Sequence, residues 1–365
     1  MQVSMILGIK SASLFTDAFK LPFTMSQKKS DFKDESCEKI ENFIHCEKDE
    51  LDLGITLKGG QSFRWVECND GYRGVFHNTV WTLVQRDNKI FYTIHGSLKN
   101  DLNYGEILSK YFRLDVSLKE NIQKWADCDS HFKTAYDQVG PVRMLDQDIV
   151  ENLFSFICSS NNNITRISGM VEKLCRIFGD KICELENQTF FDFPKIENLT
   201  SSDVESTLRK EGFGYRAGYI IKSAKKLKEL GGRMWLQGLM KENGVTYEHA
   251  RENLMLLPGI GPKVADCICL MSLGHLEAIP VDTHIFQVAC ANYTPHLSKQ
   301  TAVTPKIHQE INVYLRNLWG PLAGWAQTIV FCAKITSADK RKNKKRSAKE
   351  NVQKSCQTKR TRKKT

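Results

Sequence analysis

The spacing of apolar residues changes near residue 104, and this change limits the folds that the chain can adopt. Between residues 51 and 97, short runs such as VWTLVQ and KIFYTIH alternate apolar and polar side chains, and the turn signal RDN at 86–88 separates these two runs. Such alternation predicts antiparallel strands joined as hairpins. Beyond residue 104 apolar residues recur at helical spacing. We therefore expect an α+β fold, in which a twisted antiparallel β-rich N-terminal domain precedes a larger all-α body.

The domain organisation follows from the same patterns. A chain of 365 residues with 41% apolar content is long enough to bury a full core and to form two or three packed units. We predict an N-terminal extension over 1–44, the β-rich domain over 45–145, the helical domain over 146–335 and a disordered basic tail over 336–365.

The composition excludes several classes of protein. No run of about 18 apolar residues occurs, so we expect neither a membrane span nor a membrane partner. The 12 cysteines form no CxxC pair and no zinc-finger or iron-sulfur spacing, which is typical of reduced, buried thiols in an intracellular protein. We therefore expect neither a structural metal nor a cofactor.

The net charge of +10 comes entirely from the C-terminal end. Residues 340–365 hold 13 of the 52 lysines and arginines and one acid, so the 339 residues before them hold 39 basic and 41 acidic residues. A segment this polar buries nothing and is predicted to be disordered. It favours nuclear localisation or binding to phosphate without sequence preference, and a simple solubilising tail is the alternative. Residues 1–24 lack arginine and make a poor transit peptide, which leaves a mitochondrial fraction open.

Helix boundaries can be predicted at several points. Residues 148–158 place apolar side chains on one face, and the asparagines at 161–163 stop that helix. Ser202 and Glu205 match a capping box at the start of another helix. A further helix over 215–230 ends at paired glycines.

The segment LPGIGPKVADCICLM, residues 257–271, predicts two helices joined by a tight turn. Gly261 is expected at the N-cap of the second helix and Pro262 at its first position, where the missing amide of proline costs nothing. The free backbone amides at this helix start form a site suited to a phosphate group. A tight helix connection without any ligand is the alternative, since this turn alone is a weak signal.

A lysine follows this turn and opens an apolar helix. At the positive end of a helix dipole the ammonium form of Lys263 is disfavoured, and burial against apolar residues favours the neutral amine, which is a nucleophile. A surface lysine that binds phosphate as a point charge is the alternative. Asp282, in PVDTH, can accept a proton from such an amine or stabilise an electron-poor carbon, although by itself it equally fits the N-cap of the next helix. Only the pair Lys263 and Asp282 is specific.

This pair, within LPGIGPKVAD and VDTH, resembles the core of the helix-hairpin-helix DNA glycosylase superfamily. Five blocks in order then resemble the eukaryotic 8-oxoguanine DNA glycosylases across about residues 45–335. They are GQSFRW (60–65), FSFICSSNNNITRI (154–167), GFGYRAGYI (212–220), VADCICLM (264–271) and LWGPLAGWAQTIVF (318–331). The iron-sulfur cysteines of the endonuclease III branch are absent from the sequence.

The resemblance implies a helix-hairpin-helix glycosylase body and an enzyme of base excision repair. Its substrate would be 8-oxoguanine opposite cytosine, its partner would be double-stranded DNA containing oxidised guanine, and it would act as a monomer. Lys263 would attack C1′ of the damaged nucleoside, release the base and hold the sugar as a Schiff base, with Asp282 assisting. That intermediate permits β-elimination, so an AP lyase activity would accompany base removal.

Base selection follows partly from chemistry. Guanine has a bare N7 acceptor, whereas 8-oxoguanine carries a hydrogen there, so a fixed carbonyl accepts a hydrogen bond only from the lesion. The resemblance assigns base-binding roles to four residues. They are Gly60 through its carbonyl, Cys267 and Phe331 on the two faces of the base, and Gln327 on its Watson-Crick edge. Taken singly, the glycine is an adequate turn residue, the cysteine and phenylalanine are typical core residues, and the glutamine fits an exposed helix position.

The resemblance also assigns residues that hold the DNA around the extruded nucleotide. Backbone phosphates would be held by Gly259, Gly261, Val264 and His284. The estranged cytosine and the gap in the base stack would be occupied by Asn161, Arg166, Tyr215 and Arg216, with the tyrosine as the wedge. Without the family, SSNNN is a helix stop and GYRAGY an ordinary helix start.

Two departures and two rival functions stay open. Pro262 lacks the amide that the family commonly has before the lysine, and Thr283 replaces an apolar residue of the relatives. The first rival is a glycosylase for an alkylated or ring-opened purine, although monofunctional relatives usually lack the hairpin lysine. The second is a DNA-binding module without catalysis that uses only the hairpin and the basic tail.

Overall fold

The computed structural model describes residues 39–338 apart from positions 70, 97 and 100. Residues 1–38 of the predicted N-terminal extension and residues 339–365 of the predicted basic tail lie outside the described residues. The remainder of both predictions needs correction. Residues 39–44 belong to a strand, because they find a pairing partner in the sheet, and residues 336–338 continue a helix.

The alternating segment forms a five-stranded antiparallel sheet. Its strands are β1 (Lys39–His45), β2 (Val66–Cys68), β3 (Gly71–Phe76), β4 (Thr79–Arg86) and β5 (Lys89–His95), in the order β1-β5-β4-β3-β2. The hairpin predicted between β4 and β5 is confirmed, with Asp87 and Asn88 as a two-residue turn at φ of 49° and 57°. Both residue types tolerate this left-handed conformation, which matches the twist of the paired strands.

Two short helices pack against this sheet. They are α1 (Leu53–Lys58) and α2 (Tyr104–Tyr111). Trp81 and Leu83 of β4 are fully buried beneath them, and the indole N–H of Trp81 donates to Thr79 Oγ1 at 2.8 Å. The buried ring therefore keeps a hydrogen-bond partner, as a buried tryptophan requires.

The rest of the described chain is mainly helical, which confirms the α+β class. The helices are α3 (Leu118–Cys128), α4 (Ser130–Val139), α5 (Ile149–Ser159), α6 (Ile164–Phe178), α7 (Val204–Lys210), α8 (Arg216–Leu230), α9 (Gly232–Gln237), α10 (Tyr247–Leu254), α11 (Pro262–Ser272), α12 (Thr283–Asn292), α13 (Pro305–Trp319) and α14 (323–338). A small hairpin of β6 (Lys181–Leu185) and β7 (Gln188–Phe191) follows α6. Among these described helices, none is both long enough and apolar enough to cross a membrane.

The helix α5 lies at the centre of the helical body. Its predicted apolar face is confirmed. Burial extends around nearly the whole helix, and Glu151 is the only residue before its last turn that is partly exposed. Asp148 caps the helix by accepting from the amides of Val150 and Glu151, each at 3.0 Å. Because α5 packs against α6, α8 and α11, it supports the helix that carries Lys263.

Two helices inside the predicted β-rich range contribute to the helical core. In α3, the indole N–H of Trp125 donates to the carbonyl of Trp319 at 3.1 Å, and Phe132 of α4 is fully buried in the same cluster. All the described residues fall within one compact unit. The division of the chain at residue 145 stays a prediction.

The capping box predicted at Ser202 and Glu205 is wrong. The helix α7 begins one residue later than that pattern requires, and Asp203, which precedes it, has helical dihedrals (φ −87°, ψ −13°) and makes no side-chain cap bond. Glu205 pairs instead with Arg209, one turn further along the helix, at 2.7 Å. The side-chain ion pair therefore replaces the reciprocal cap.

Candidate active site

The helix-turn-helix segment forms as predicted from its glycines and proline. Gly261 is the N-cap of α11 with extended backbone (φ −94°, ψ −177°), and Pro262 is the first helical residue. The first backbone hydrogen bond of α11 runs from the amide of Ala265 to the carbonyl of Gly261 at 3.0 Å. The amides of Lys263 and Val264 precede that bond and so lack an acceptor within the helix, which makes this helix start a site for an anion.

Glycine is required at one position of the turn for two reasons. Gly259 has a left-handed φ of 86°, and a Cβ placed there would lie 2.6 Å from Cγ of Tyr219. The ring of Tyr219 in α8 therefore packs directly on the turn. Tyr219 also contacts Tyr215 edge to face, with ring centroids 5.9 Å apart. The turn and the predicted wedge residue are thereby joined through one aromatic side chain.

Lys263 lies between α11 and α5 and is half-buried. Its Nζ donates to Oγ of Ser159 at 3.4 Å and lies 4.8 Å from the ring centroid of Phe156. Across the described part of the chain it makes no salt bridge. An amine held against a hydroxyl and an aromatic ring, without a carboxylate partner, is free to act on a substrate. Sequence reasoning missed Ser159 and Phe156, although both lie inside the FSFICSS block.

Asp282 is the N-cap of α12, as the alternative interpretation of this residue stated. Its Oδ1 accepts from the amide of Ile285 at 2.8 Å, and the residue is half-buried. The cap uses one carboxylate oxygen and fixes the orientation of the other. Capping and chemistry are therefore compatible roles for this side chain.

Cys267 connects the two predicted catalytic residues electrostatically. Burial raises the pKa of its thiol to about 11, while the charge of Lys263 acts in the opposite direction and that of Asp282 adds to the increase. Both charges are thus close enough to act on the same sulfur atom. At neutral pH the thiol stays protonated and offers a small, polarisable, uncharged surface.

The four predicted base-binding residues come from three distant parts of the sequence. Gly60 follows α1 and has a left-handed φ of 85°; a Cβ there would lie 3.2 Å from Cδ1 of Ile164 and 3.6 Å from Cε1 of Phe331. Its carbonyl accepts no hydrogen bond from any residue that the structure describes. Gln327 of α14 is only 4% exposed, so the alternative of an exposed helix residue is wrong. Phe331, half-buried on the same helix, lies at 6.0 Å from the ring of His284.

The residues predicted to hold the estranged cytosine also come together. Arg216 at the start of α8 is buried, and its Nη2 donates to the carbonyls of Ser160 and Asn161, the latter at 3.0 Å. The hydroxyl of Tyr215 donates to the same Ser160 carbonyl at 3.1 Å, and the ring stays 50% exposed. Exposed Arg166 donates to the carbonyl of Gly212 at 3.3 Å. These bonds join the loop after α5 to the start of α8, beside the exposed ring of Tyr215.

Behind the hairpin lies a buried polar network that sequence reasoning did not identify. Asp266 of α11 is fully buried, and its Oδ1 accepts from Tyr247 at 2.6 Å and from Nε of Arg251 at 2.8 Å, both in α10. His308 of α13 brings Nε2 within 3.0 Å of Oδ2, a close approach without hydrogen-bond geometry. Burial raises the pKa of Tyr247, and the Asp266 charge acts in the same direction, so the phenol remains a donor. The network fixes both hairpin helices to α13.

A large cavity lies apart from these residues. It measures about 830 Å³ and is lined in part by residues of β3, α2 and α5, including Tyr111 of α2 and Glu151 of α5. None of the predicted site residues lines it. Burial raises the pKa of Glu151 to about 7, although the nearby guanidinium of Arg64 acts in the opposite direction. Cavity size alone therefore does not identify the site of chemistry in this molecule.

The hairpin, its lysine and the helical body define a class of DNA repair protein. Residues 154–311 match the family described as HhH-GPD superfamily base excision DNA repair protein, and residues 43–153 match the 8-oxoguanine DNA glycosylase N-terminal domain. The N-glycosylase/DNA lyase of Saccharomyces cerevisiae is 37% identical over 322 residues, which cover 79% of this chain and 84% of the relative. The N-glycosylase/DNA lyase OGG1 of Arabidopsis thaliana is 36% identical, with 78% of each chain covered.

Solved structures agree with these sequence comparisons. The structure of MBOgg1 in complex with a low affinity DNA ligand is 29% identical with a TM-score of 0.70, and the match covers 82% of this chain and 96% of that one. The 8-oxoguanine glycosylase/lyase of Clostridium acetobutylicum shares the fold, with a TM-score of 0.69 at 24% identity over 80% of this chain and 93% of that one. The chain belongs to the eukaryotic 8-oxoguanine DNA glycosylase family of the HhH-GPD superfamily, a family of bifunctional DNA N-glycosylases and AP lyases.

Proposed function

We propose that this enzyme excises 8-oxoguanine opposite cytosine from duplex DNA and then nicks the strand at the abasic site. The observation that carries this proposal is the environment of Lys263. Its amine is half-buried at an anion-binding helix start, is held by Ser159 and Phe156, and makes no salt bridge with the described residues. The yeast and Arabidopsis relatives, both named as N-glycosylase/DNA lyases, support the same pair of activities.

The proposed chemistry begins at C1′ of the flipped nucleotide. The amine nitrogen of Lys263 gives up a proton and forms a bond to C1′ as the C1′–N9 bond breaks, and the departing base takes up a proton. Opening of the sugar ring at O4′ then gives a Schiff base. Asp282, whose capping bond fixes its orientation, stabilises the positive charge that develops on the sugar. Removal of a C2′ proton expels the 3′-phosphate, and water releases the sugar from the lysine.

Lesion choice is proposed to depend on the carbonyl of Gly60. The N7–H of 8-oxoguanine donates to this oxygen, whereas N7 of guanine places a lone pair against it. An unpaired buried polar group costs roughly 1 to 3 kcal/mol, which corresponds to about 5- to 150-fold discrimination. The absent side chain matters because a Cβ would lie 3.6 Å from Phe331 and would narrow the space for the base.

Choice of the opposite base is proposed to depend on the donors around Asn161. Cytosine freed from its partner presents two acceptors, O2 and N3, to arginine and asparagine donors. Adenine in the same place would set its own N6 amino group against these donors. Because Arg166 and Arg216 carry only donors, the surface favours cytosine. The exposed ring of Tyr215 would fill the stack beside it.

The proposal is tested by borohydride trapping on three duplexes. They carry 8-oxoguanine opposite cytosine, undamaged guanine opposite cytosine, and an abasic site. Wild type is expected to form a covalent adduct on the first and third duplexes, whereas Lys263→Gln is expected to form none. The control Lys124→Gln, which changes an exposed lysine, is expected to form the same adducts as wild type. An adduct on the abasic duplex alone would assign the enzyme to another lesion, such as an alkylated purine. No adduct from wild type would leave a DNA-binding module without catalysis.

We also propose that the enzyme acts as a monomer and is directed to the nucleus by residues 340–365. The charge of this segment supports the second proposal, since it holds 13 lysines and arginines against one acid. Full-length protein and a variant that ends at residue 339 are compared as fluorescent fusions, and nuclear accumulation of the shortened protein would contradict the assignment. Size-exclusion chromatography with light scattering tests the monomer.

A further inference from the structure

A second cavity adjoins His284, one of the residues proposed to hold DNA phosphate. It measures about 440 Å³ and lies among α4, α12 and α14. Its polar lining comes from neutral and basic side chains, which include His131, Gln138, His284, Lys334 and Ser337. No carboxylate of the described residues lines it. Lys334 is the one lysine or arginine among these lining residues, so the formal charge of the lining is positive.

Two helix starts border the cavity and supply imidazole groups. The helices α4 and α12 both begin there, and each carries a histidine as its second residue, His131 and His284. Each start is already capped by a carboxylate: Asp129 accepts from the amide of His131 at 2.9 Å and from Tyr293 at 2.8 Å, and Asp282 caps α12. Because these caps offset the helix dipoles, the positive charge of the cavity lining comes from its side chains.

The third side of the cavity supplies a cation that lacks a partner. Lys334 of α14 is half-buried and makes no salt bridge within the described chain. Neutral donors lie beside it, since Ser337 donates to Oε1 of Gln138 at 3.1 Å across the rim. A cation and several neutral donors without any acid suit a group with several oxygen atoms and negative charge.

The sequence continues from this rim into the basic run. Ser337 is among the last described residues of α14, and residues 340–365 that follow it hold 13 lysines and arginines. The basic run therefore begins shortly after Ser337 in the sequence.

We propose that this cavity binds a backbone phosphate of the DNA, adjacent to the phosphate assigned to His284, with Lys334 as its main charge and His131 as a donor. The inference rests on the proposed function, because it requires DNA to lie across His284. The ligand chemistry is a phosphate group, which either DNA or free inorganic phosphate supplies. Two measurements separate these sources.

The first measurement is the salt dependence of binding to undamaged duplex, followed by fluorescence anisotropy. Loss of one phosphate contact lowers the slope of log K against log salt by about 0.9. Lys334→Ala is expected to lose about that amount, and Lys334→Arg to recover it. Lys195→Ala is the matched control, because Lys195 lines the other large cavity, and its slope is expected to equal that of wild type. An unchanged slope in Lys334→Ala overturns the proposal.

The second measurement locates the phosphate. Duplexes carrying a single neutral methylphosphonate at successive positions are bound to wild type and to Lys334→Ala. At one position, the methylphosphonate is expected to weaken DNA binding by wild type severalfold and to leave binding by Lys334→Ala unchanged. The reason is that two changes that remove the same contact are not additive. If every methylphosphonate weakens both proteins equally, Lys334 touches no phosphate and the proposal is wrong.

Free phosphate is tested by titrating inorganic phosphate at constant ionic strength and following the histidine ring signals by NMR. Shifts of His131 and His284 together with a coupled methylphosphonate position support the DNA site. Shifts without any coupled position would assign the cavity to free phosphate and overturn the DNA assignment. All these measurements use undamaged DNA, so they succeed or fail independently of lesion excision, which the trapping experiment reports.

Discussion

Removal of the Asp266 carboxylate, which is fully buried, is predicted to destabilise the enzyme strongly. In Asp266→Ala, Tyr247 and Nε of Arg251 both lose the acceptor that they contact at 2.6 and 2.8 Å. The Arg251 side chain is 16% exposed, so its charge stays largely buried without a partner. Hydrogen bonds to a charged group contribute about 1.5–3 kcal/mol each, and breaking a buried ion pair costs about 3–5 kcal/mol, so both routes give a loss near 4 kcal/mol.

This loss is measurable by thermal unfolding followed by circular dichroism. At about 2–4 °C per kcal/mol, the melting temperature of Asp266→Ala is expected to fall by roughly 10 °C. Asp266→Asn keeps the shape and one acceptor oxygen, so about half that fall is expected. The control is Glu252→Ala, an exposed acid on the same helix α10 as Arg251, which is expected to stay within about 0.5 kcal/mol of wild type.

The network also positions the hairpin, so we expect Asp266 substitutions to affect catalysis as well as stability. The rate of trapping and the salt dependence of DNA binding test this separately. Below the melting temperature of every variant, single-turnover trapping by Asp266→Asn is expected to slow, because α10 and α11 are held less rigidly around Lys263. The salt slope of DNA binding is expected to stay unchanged, since no phosphate contact is removed. If Asp266→Ala melts within 2 °C of wild type, at about 2–4 °C per kcal/mol the carboxylate contributes under about 1 kcal/mol and the reasoning fails.

Three further changes test other parts of the molecule. Gly60→Ala places a side chain at a left-handed φ of 85° and 3.6 Å from Phe331. In a gel assay, excision of the lesion is expected to fall while cleavage of a preformed abasic site persists. Equal excision by wild type and Gly60→Ala would argue against the proposed base pocket. Burial raises the pKa of Glu151 from its ordinary value of 4.5 to about 7, so between these pH values the native state holds a proton that the unfolded state releases. The melting temperature of wild type relative to Glu151→Gln is therefore expected to fall as pH rises from 4.5 to 7, and parallel curves would contradict this. The side chain of Cys267 is buried and its pKa is raised to about 11, so Cys267 is expected to react with iodoacetamide at pH 8 far more slowly than exposed Cys128. The labelling of each cysteine is measured by peptide mass mapping. Equal labelling of the two would show that the pocket is accessible.

The features predicted best from sequence are those fixed by neighbouring residues. The hairpin turn at Asp87 and Asn88, the cap at Gly261 with Pro262, and the helix end at Gly231 each depend on the dihedral preferences of one or two residues. The recognised sequence block FSFICSS also contains Ser159 and Phe156, which contact Lys263, although neither residue was singled out. The error at Ser202 has a local cause, since two consecutive residues both fit a cap by residue type and the helix begins after the second of them, Asp203.

The features that escaped prediction depend on segments far apart in the chain. The partners of Asp266 come from α10 and α13, and no local pattern indicates that a buried acid will meet them. The contact of Lys263 with Ser159 joins α11 to the end of α5. The cavity beside His284 requires α4, α12 and α14 to be placed first. Tertiary packing, which single-sequence patterns do not encode, determines all three.

The wall that α14 contributes to the proposed base pocket has a consequence for the synthesis of this protein. Gly60 leaves the ribosome well before α14, which carries Phe331, the ring that a Cβ at Gly60 would meet at 3.6 Å. The same helix carries Trp325, which is fully buried and donates to the carbonyl of Val142 at 2.8 Å. Domains fold as units while synthesis proceeds from the N-terminus, so this core is complete only after α14 has been made. A chain that stops before α14 is therefore expected to carry Lys263 without the proposed base pocket and without the packing around Trp325.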